Sequence, residues 1–379
     1  KNEGVTMSIK SAYIHIPFCV RICTYCDFNK YFINKQPVDE YISALIKEMK
    51  TSEIRNLETM YVGGGTPTAL NLKQLERLLK AIQSTFSIKG EYTFEANPDE
   101  LTLDKVKLLH SYGVNRISMG VQTFKPELLK ILGRTHKTQD IYNAVEYARK
   151  ANIESISLDL MYHLPTQTLE DFSDSLNRAI QMDIDHISSY GLILEPKTQF
   201  YNMYRKGKLK LPNEDLGAEM YQYLMNVLGE TSFKQYEISN FAKSHHESRH
   251  NKTYWLNEEY YGFGAGASGY VNGERYSNLN PVNHYINAIN NHQRPILTSN
   301  FPTQSERMEE EMFLGLRMNK GVDKVKFLSK FGTSMDKVFG ETINNLKKKN
   351  LLYERDNHIS LTNRGKIIGN EVFEAFLLN

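Results

Sequence analysis

The feature that most constrains this 379-residue chain is its cysteine content, because all three cysteines lie within one stretch of eight residues. Cys19, Cys23 and Cys26 have the spacing C-x3-C-x2-C, and thiolates are the ligands that iron–sulfur clusters require. An odd, tightly clustered set of cysteines in a chain without a secretion signal favours metal binding over disulfides and predicts a cytoplasmic protein. The sequence has no fourth cysteine, so the pattern predicts a 4Fe-4S cluster with one iron open to another ligand.

Structural zinc is the alternative, since zinc also binds thiolates. It normally takes four protein ligands, with Cys or His in paired spacing. His15 is the nearest histidine, and it lies within an apolar, strand-like pattern rather than in a zinc-binding turn. The sequence therefore favours the cluster.

Charge and hydropathy exclude two other classes of function. The 46 basic and 44 acidic residues leave a net charge of +2, so no global positive field recruits nucleic acid, and none is expected as a partner. No stretch approaches the roughly 20 apolar residues that a membrane-spanning helix needs. We expect no signal peptide in the polar residues before Met7, which we interpret as lying ahead of the natural start of the chain.

Residues 11 to 239 alternate short apolar runs with longer segments of helical period. Strands are predicted at 12–16, 59–62, 92–95, 116–119, 155–160 and 186–192, with a weaker one at 236–238. Helices are predicted at 71–86, after Thr102, and at 140–150, 169–182 and 215–228. This alternation implies a parallel sheet, and about six units are too few for a closed eight-stranded barrel. We therefore predict an α/β fold with a partial (β/α)6-type barrel over residues 1–240, whose chemistry lies at the C-terminal ends of the strands.

The remainder of the chain divides into two segments by composition. Residues 241–302 are rich in Asn, Tyr, Gly and His, and we expect them to connect the barrel to a C-terminal domain. Residues 303–379 predict helices at 306–316, 322–331 and 335–349, followed by a small hairpin at 351–359. That order resembles a winged helix, which would suggest DNA binding, but no basic recognition face accompanies it. We interpret the segment as a mainly helical domain that packs on the barrel or covers its substrate.

Glycines and polar side chains follow several of the predicted strands. The run Gly63-Gly64-Gly65-Thr66-Pro67-Thr68 comes after the second strand, and its glycines permit close approach of the backbone to a polar ligand. Glu95, Gln122, Arg134 and Asp159 end or follow later strands. Each could be structural by itself, as a helix cap or a surface ion pair. Together they predict a ligand site at one end of the sheet.

The first strand, the cysteine loop and the glycine run together resemble the radical S-adenosylmethionine (SAM) superfamily. In that superfamily the amino and carboxylate groups of SAM chelate the open iron, and reductive cleavage can release a 5′-deoxyadenosyl radical. The polar set further resembles the coproporphyrinogen dehydrogenase-like branch, over nearly the whole chain. The resemblance implies that SAM is bound by Tyr13, Gly64, Gly65, Thr66, Glu95, Gln122, Arg134 and Asp159.

Two kinds of protein within this branch have to be separated, the oxygen-independent coproporphyrinogen III dehydrogenases and the heme chaperones. The dehydrogenases carry an extra cysteine where this chain has Phe28, and a longer arm than the 18 residues before Cys19. The run His250-Asn251-Lys252-Thr253-Tyr254-Trp255 instead matches the H-N-x-x-Y-W motif typical of the chaperones. The resemblance implies a protein that binds heme and delivers it to apo-hemoproteins, with the cluster and SAM used for regulation or dimerisation. Decarboxylation of coproporphyrinogen is the alternative.

Histidine is a common axial ligand of heme iron, so we predict that His250 ligates heme while Tyr254 and Trp255 stack on the porphyrin. The alternative is structural, with His250 capping a turn and the two aromatic residues anchoring a loop on the core. His163 stands where relatives usually have Gly, and it would either narrow the pocket or add an iron ligand. A homodimer and a peripheral membrane association are left open.

Overall fold

The structure is a computed structural model of the chain, and it describes residues 9–378. The residues before Met7, interpreted above as preceding the natural start, lie outside this range. The strands, in chain order, are β1 (Ser11–Ile16), β2 (Phe18–Cys19), β3 (Tyr31–Phe32), β4 (Asn56–Gly64), β5 (Ser87–Ala96), β6 (Arg116–Gln122), β7 (Ser155–Tyr162), β8 (His186–Gly191), β9 (Lys234–Glu237), β10 (Asn240–Ala242), β11 (Tyr261–Phe263), β12 (Ser268–Val271), β13 (Glu274–Asn278), β14 (Ile296–Asn300), β15 (Val322–Asp323), β16 (Leu352–Arg355) and β17 (His358–Leu361). The helices are α1 (Val38–Thr51), α2 (Leu72–Thr85), α3 (Leu103–Ser111), α4 (Pro126–Ile131), α5 (Thr138–Lys150), α6 (Leu169–Gln181), α7 (Gln199–Arg205), α8 (Glu214–Gly229), α9 (Arg249–Trp255), α10 (Val282–Asn290), α11 (Gln304–Gly315), α12 (Lys324–Phe331), α13 (Met335–Lys348), α14 (Asn363–Ile367) and α15 (Gly369–Glu374).

One nine-stranded sheet organises the first two thirds of the chain, in the order β11-β1-β4-β5-β6-β7-β8-β10-β9. Six strands, β1, β4, β5, β6, β7 and β8, lie side by side in chain order and parallel, which confirms the predicted partial barrel. The two end strands of this sheet, β11 and β9, do not pair with each other, so among residues 9–378 the barrel stays open. β11 was not predicted. It is three residues long and pairs with β1 in parallel. It begins a glycine-rich segment, residues 261–280.

The two faces of the parallel sheet have opposite chemistry. In β6, Ile117, Met119 and Val121 join the apolar core that the helices cover. The alternate side chains of the parallel strands are polar and line the concave face. Those near the N-terminal ends are buried, namely Thr59, Thr93, Arg116, Ser157 and His186. Those near the C-terminal ends are only half-buried, namely Tyr61, Glu95, Asp159 and Tyr190. The concave face is therefore a polar site that opens at the C-terminal ends of the strands.

Helix α1, which the sequence did not predict, holds the glycine-rich segment against β1. The buried carboxylate of Glu48 accepts hydrogen bonds from Gly264 N at 2.7 Å, from Asn278 Nδ2 at 2.8 Å and from the hydroxyl of Tyr285. The hydroxyl of Tyr41 donates to the backbone oxygen of His15 at 2.7 Å. Burial raises the pKa of Glu48 to about 7, against a usual value of 4.5.

A separate apolar core, which includes Met312, Phe327, Phe339, Ile359 and Phe376, organises the C-terminal part of the chain. Helices α11 to α13 and the β16–β17 hairpin lie where the sequence predicted them, and β15 completes a three-stranded sheet with the hairpin. Within residues 9–378 no helix combines the length and the apolar character that crossing a membrane would require.

We expect Glu48→Gln to change how stability depends on pH. Because folding raises the pKa of Glu48 from 4.5 to about 7, the folded state binds this proton more tightly. The free energy of unfolding of the natural chain therefore falls by about 3 kcal/mol as pH rises through that window. The variant lacks this loss, so its urea midpoint relative to the natural chain should rise between about pH 5 and about pH 8. If the difference in urea midpoint between the variant and the natural chain did not change with pH, that result would contradict a buried carboxyl at this position.

Candidate cluster and cofactor site

Cys19 ends β2, shortly after β1, and Cys23 and Cys26 lie on the cysteine loop that follows it. Cys19 is buried, with its Sγ 3.8 Å from Thr66 Oγ1, and Cys23 and Cys26 are half-buried. Burial raises the pKa of the Cys19 thiol to about 12, so thiolate at this position requires compensating positive charge such as cluster iron supplies. Among residues 9–378 no three Cys, His, Asp or Glu side chains converge as ligands of one ion. Three thiolates suit a multi-iron cluster, which takes one thiolate per iron, whereas structural zinc normally takes four protein ligands.

Contacts from two other elements fix the cysteine loop. Thr24 donates through its backbone N to Leu132 O at 3.2 Å and through Oγ1 to Ile131 O at 3.1 Å. Phe200 N, in the first turn of α7, donates to Thr24 O at 2.9 Å. Lys30 Nζ donates to the backbone oxygen of Cys26. The loop that carries the ligands is thus held by protein contacts on both sides.

The glycine run passes directly against the cysteine loop. Gly65 N donates to Ile16 O and Thr66 N donates to Phe18 O, each at 2.8 Å. A Cβ at Gly65 would lie 2.7 Å from Phe18 O and 2.9 Å from Cys19 Sγ. A Cβ at Gly63 would lie 2.8 Å from the carboxyl carbon of Glu95. Glycine is therefore required here for the turn to touch both the cluster loop and a carboxylate.

Two carboxylates face the open end of the sheet. Glu95 accepts from the Tyr61 hydroxyl at 2.8 Å and from Gly64 N at 3.1 Å, and Asp159 accepts from Ser118 Oγ at 3.3 Å. Burial raises the pKa of Glu95 to about 7 and the pKa of Asp159 to about 6. A bound ammonium or a set of hydroxyl donors would offset this penalty. The pair suits the amino and ribose groups of SAM.

Arg134 connects these strand ends to the cysteine loop. Its Nη2 donates to Asn97 Oδ1 at 2.8 Å and to Gly120 O, and its Nη1 lies 3.6 Å from Cys23 Sγ. Asn97 also donates to Thr66 Oγ1 at 3.0 Å. The sequence did not identify Asn97 as a site residue, although Asn97 follows Glu95 by two residues at the end of β5. Gln122 is buried in a left-handed conformation with φ 67°, which turns the chain at the end of β6.

Tyr13 lies between the expected SAM site and His15, which contacts the cysteine loop. Its ring stacks on Tyr61 with centroids 6.1 Å apart, and its hydroxyl lies 2.9 Å from His15 Nδ1. His15 Nε2 in turn lies 2.8 Å from Asn29 O on the cysteine loop. Both nitrogens of His15 are engaged, which supports its exclusion as a zinc ligand. The structure thus brings every residue expected to contact SAM to one end of the sheet. Their contact with SAM stays a prediction.

A cavity of about 430 Å³ lies beside Tyr13, between the cysteine loop, α9 and α11. Aromatic and polar side chains share its lining, which consists of Tyr13, His15, Phe28, Asn29, Tyr254, Trp255, Asn257, Glu258, Tyr260, Gly266, Ser268, Arg275 and Leu314. Trp255 Nε1 is buried without a hydrogen-bond partner among the described residues. Arg275 contacts Glu310 and Asn257, each at 2.7 Å, at the edge of the cavity.

His250 lies behind this cavity rather than in it. It is fully buried, with Nδ1 2.8 Å from Thr59 Oγ1 and Nε2 2.7 Å from the Tyr254 hydroxyl. Its backbone N donates to Glu91 Oε1 at 3.0 Å. Neither ring nitrogen is free for iron in this conformation. The His250 ring does not cap a turn, because Ser248 is the N-cap residue of α9. Ligation of heme by His250 stays a prediction that requires these hydrogen bonds to break.

His163 points away from the site. Its backbone has φ 60°, and its Nε2 lies 2.9 Å from Pro212 O and 3.1 Å from Asn213 O. The ring packs beside Gly217 on α8. The side chain therefore fastens the end of β7 to the start of α8. It neither narrows the pocket nor faces the cluster.

Comparison with known proteins covers most of the chain. The sequence profile of the Radical SAM superfamily matches residues 13–179, and that of the HemN C-terminal domain matches residues 303–368. The chain is 50% identical to the heme chaperone HemW of Bacillus subtilis, over 97% of this chain and 99% of that protein. It is 48% identical to the heme chaperone HemW of Lactococcus lactis, over 97% of each. The solved structure of coproporphyrinogen III oxidase (HemN) from Escherichia coli matches with a TM-score of 0.85 at 24% identity, covering 97% of this chain and 90% of that one. At that identity the structural likeness shows the fold alone.

We expect Gly65→Ala to lose most of the cluster, because its Cβ would clash with Phe18 O and Cys19 Sγ. The measurement is iron and sulfide per chain after anaerobic reconstitution, with the electron paramagnetic resonance of the reduced protein. Gly340→Ala is the matched control, since the nearest atom to its Cβ would be 3.9 Å away on α13. Full cluster content in Gly65→Ala would contradict the steric argument.

Proposed function

The chain belongs to the heme chaperone HemW family within the radical SAM superfamily, and on that premise we propose that it binds heme and delivers it to apo-hemoproteins. As a radical SAM protein it carries a 4Fe-4S cluster and SAM, as the cysteine spacing and the glycine run predicted. When bound, these cofactors can supply an electron and a deoxyadenosyl radical. We propose that here they control the heme site, and that the chain does not decarboxylate coproporphyrinogen.

The observation that carries this proposal is the aromatic cavity beside Tyr13. Its volume lies within the roughly 300–1,000 Å³ of small-molecule and cofactor sites. Tyr254, Trp255, Tyr260 and Phe28 present aromatic surface suited to a planar macrocycle. Arg275 at the edge suits the propionate carboxylates, since a guanidinium binds carboxylates through charge-assisted hydrogen bonds. A flat apolar ligand with anionic ends has the chemistry of heme.

Tyr13 supports a link between SAM and heme. Its ring stacks on Tyr61 beside Glu95 in the cofactor site, and it also lines the cavity. SAM held against this ring would alter one wall of the heme site. His15 and Asn29 extend the same hydrogen-bonded chain to the cysteine loop, so a change at the cluster would reach the same wall.

Oxygen-independent coproporphyrinogen III dehydrogenase is the second candidate, since the solved structure of HemN shares the fold. Phe28 weighs against it. The side chain is 66% exposed at the rim of the cavity, where the dehydrogenases carry a further cysteine. We propose the cytoplasm as the location, because clustered reduced thiols suit a reducing compartment. A homodimer and a peripheral membrane association stay predictions.

We expect the reconstituted natural chain to bind heme near one equivalent per chain and to form no protoporphyrinogen from coproporphyrinogen. The measurement is an anaerobic heme titration run beside a coproporphyrinogen assay with SAM and reductant. Heme binding without turnover supports the chaperone. Turnover would establish the dehydrogenase instead, and the absence of heme binding would refute the proposal.

We expect Ser268→Trp to weaken heme binding at least about tenfold, a loss of about 1.4 kcal/mol, by filling the cavity from its exposed rim. Cluster content should stay unchanged, since Ser268 makes none of the hydrogen bonds that hold the cysteine loop. Ser305→Trp, on the exposed first turn of α11 outside the cavity, is the control. Equal heme affinity in both variants would place heme elsewhere on the chain.

A further inference from the structure

Tyr254 and His250 form a hydrogen-bonded pair of which only Tyr254 reaches the aromatic cavity. The hydroxyl of Tyr254 lies 2.7 Å from His250 Nε2, and the two rings meet edge to face with centroids 5.1 Å apart. Tyr254 lines the cavity, whereas His250 is fully buried behind it and stacks on Tyr61 at 5.2 Å. A ligand in the cavity therefore meets the tyrosine of this pair first.

The neighbouring hydroxyls decide the direction of the hydrogen bond between the two side chains. Thr59 Oγ1 donates its single proton to Ser11 Oγ at 2.8 Å, so it can only accept from His250 Nδ1, also at 2.8 Å. Nδ1 therefore carries the imidazole proton, and the lone pair of Nε2 is left to accept from Tyr254. The phenol consequently donates to a neutral imidazole that is already oriented as a base.

From this geometry we propose that Tyr254, and not His250, ligates the iron of ferric heme through its phenolate oxygen, with His250 taking up the phenolic proton. This assignment rests on the proposed heme binding. Tyrosine is an established axial ligand of heme iron. It also requires none of the buried hydrogen bonds of His250 to Thr59 and Glu91 to break.

The step balances without a redox partner. The O–H bond of Tyr254 breaks, an iron–oxygen bond forms, a water ligand of the ferric iron leaves, and the proton moves to His250 Nε2. The iron remains ferric throughout. The resulting imidazolium lies against the phenolate oxygen and keeps its Nδ1 proton, which it donates to Thr59 Oγ1. Burial, and then the nearby Arg116 guanidinium, lower the pKa of His250 in the unliganded chain to about 3, so the iron–phenolate bond has to drive the proton transfer.

The helix that carries His250 and Tyr254 explains their spacing in the motif. His250 and Tyr254 are four residues apart on α9, which places them on the same face one turn apart. The buried position lies toward β4 and the outer one toward the cavity. Tyr260 is the control residue for Tyr254. It lines the same cavity, its ring centroid lies 4.7 Å from that of Tyr254, and it does not belong to the hydrogen-bonded pair.

The test uses the full chain with its cluster reconstituted, ferric protoporphyrin IX as the probe, and the variants Tyr254→Phe, Tyr260→Phe and His250→Gln. Resonance Raman and absorption spectra report the phenolate-to-iron charge transfer, and titration gives the affinity. We expect the natural chain and Tyr260→Phe to show the phenolate signature. Tyr254→Phe should lose it and bind heme at least about tenfold more weakly. His250→Gln, which cannot take up the phenolic proton, should show the signature only at a higher pH than the natural chain.

Cluster content and SAM binding check that each variant folds, because neither side chain of the pair holds those cofactors. The natural spectrum and affinity in Tyr254→Phe would overturn the assignment. So would an imidazole-ligated spectrum in the natural chain that disappears in His250→Gln. A natural chain that binds heme without a phenolate signature would overturn the ligand assignment alone. A natural chain that binds no heme would overturn the proposed function and the ligand assignment with it.

Discussion

The close approach of the glycine turn to the cysteine loop is the contact on which the site depends. Gly65 lies so near Phe18 O and Cys19 Sγ that a methyl group would not fit, and Gly63 lies equally near the carboxylate of Glu95. A Cβ at Gly64 would likewise lie 2.8 Å from Ile16 O, so the three glycines together bring the ends of β1, β4 and β5 close to one another. The cluster ligands and the groups expected to hold SAM share one small volume because the backbone of β4 has no side chains at that point.

A second set of contacts connects this volume to the aromatic cavity. Asn29 Nδ2 donates to Ala265 O at 3.2 Å and to Asn280 O at 3.0 Å, which joins the cysteine loop to the glycine-rich segment. Glu48 fixes the same segment to α1 through a buried carboxylate. The cavity wall is therefore built on the elements that hold the cluster. A protein whose cofactors regulate a bound cargo needs such a shared wall, because coupling requires that both ligands bias the same element.

The sequence predicted the elements that follow local rules. Helix α2 begins where it was predicted, with Asn71 as its cap accepting from Gln74 N at 2.9 Å, and the six parallel strands lie at the predicted positions. Helix α1 was missed although seven of its residues are buried, and β11 was missed because three residues, one of them Gly262, carry no period. Residue types gave the chemistry of the site, but the engagement of His250 Nδ1 depends on Thr59, which is 191 residues away in the chain. Such distant pairing leaves no trace in the spacing of a motif.

The exposure of the cavity separates the two candidate functions on physical grounds. Radical chemistry is protected from side reactions by excluding water from the reacting centre. Here Phe28 is 66% exposed, and Ser268, which lines the same cavity, is exposed as well. An open rim of this kind exposes one edge of a bound macrocycle to a partner protein, which transfer of cargo requires. A phenolate from Tyr254 would hold ferric iron on the inner side while that edge remained free. The geometry thus favours a site that loads and releases a ligand over one that encloses a substrate for reaction.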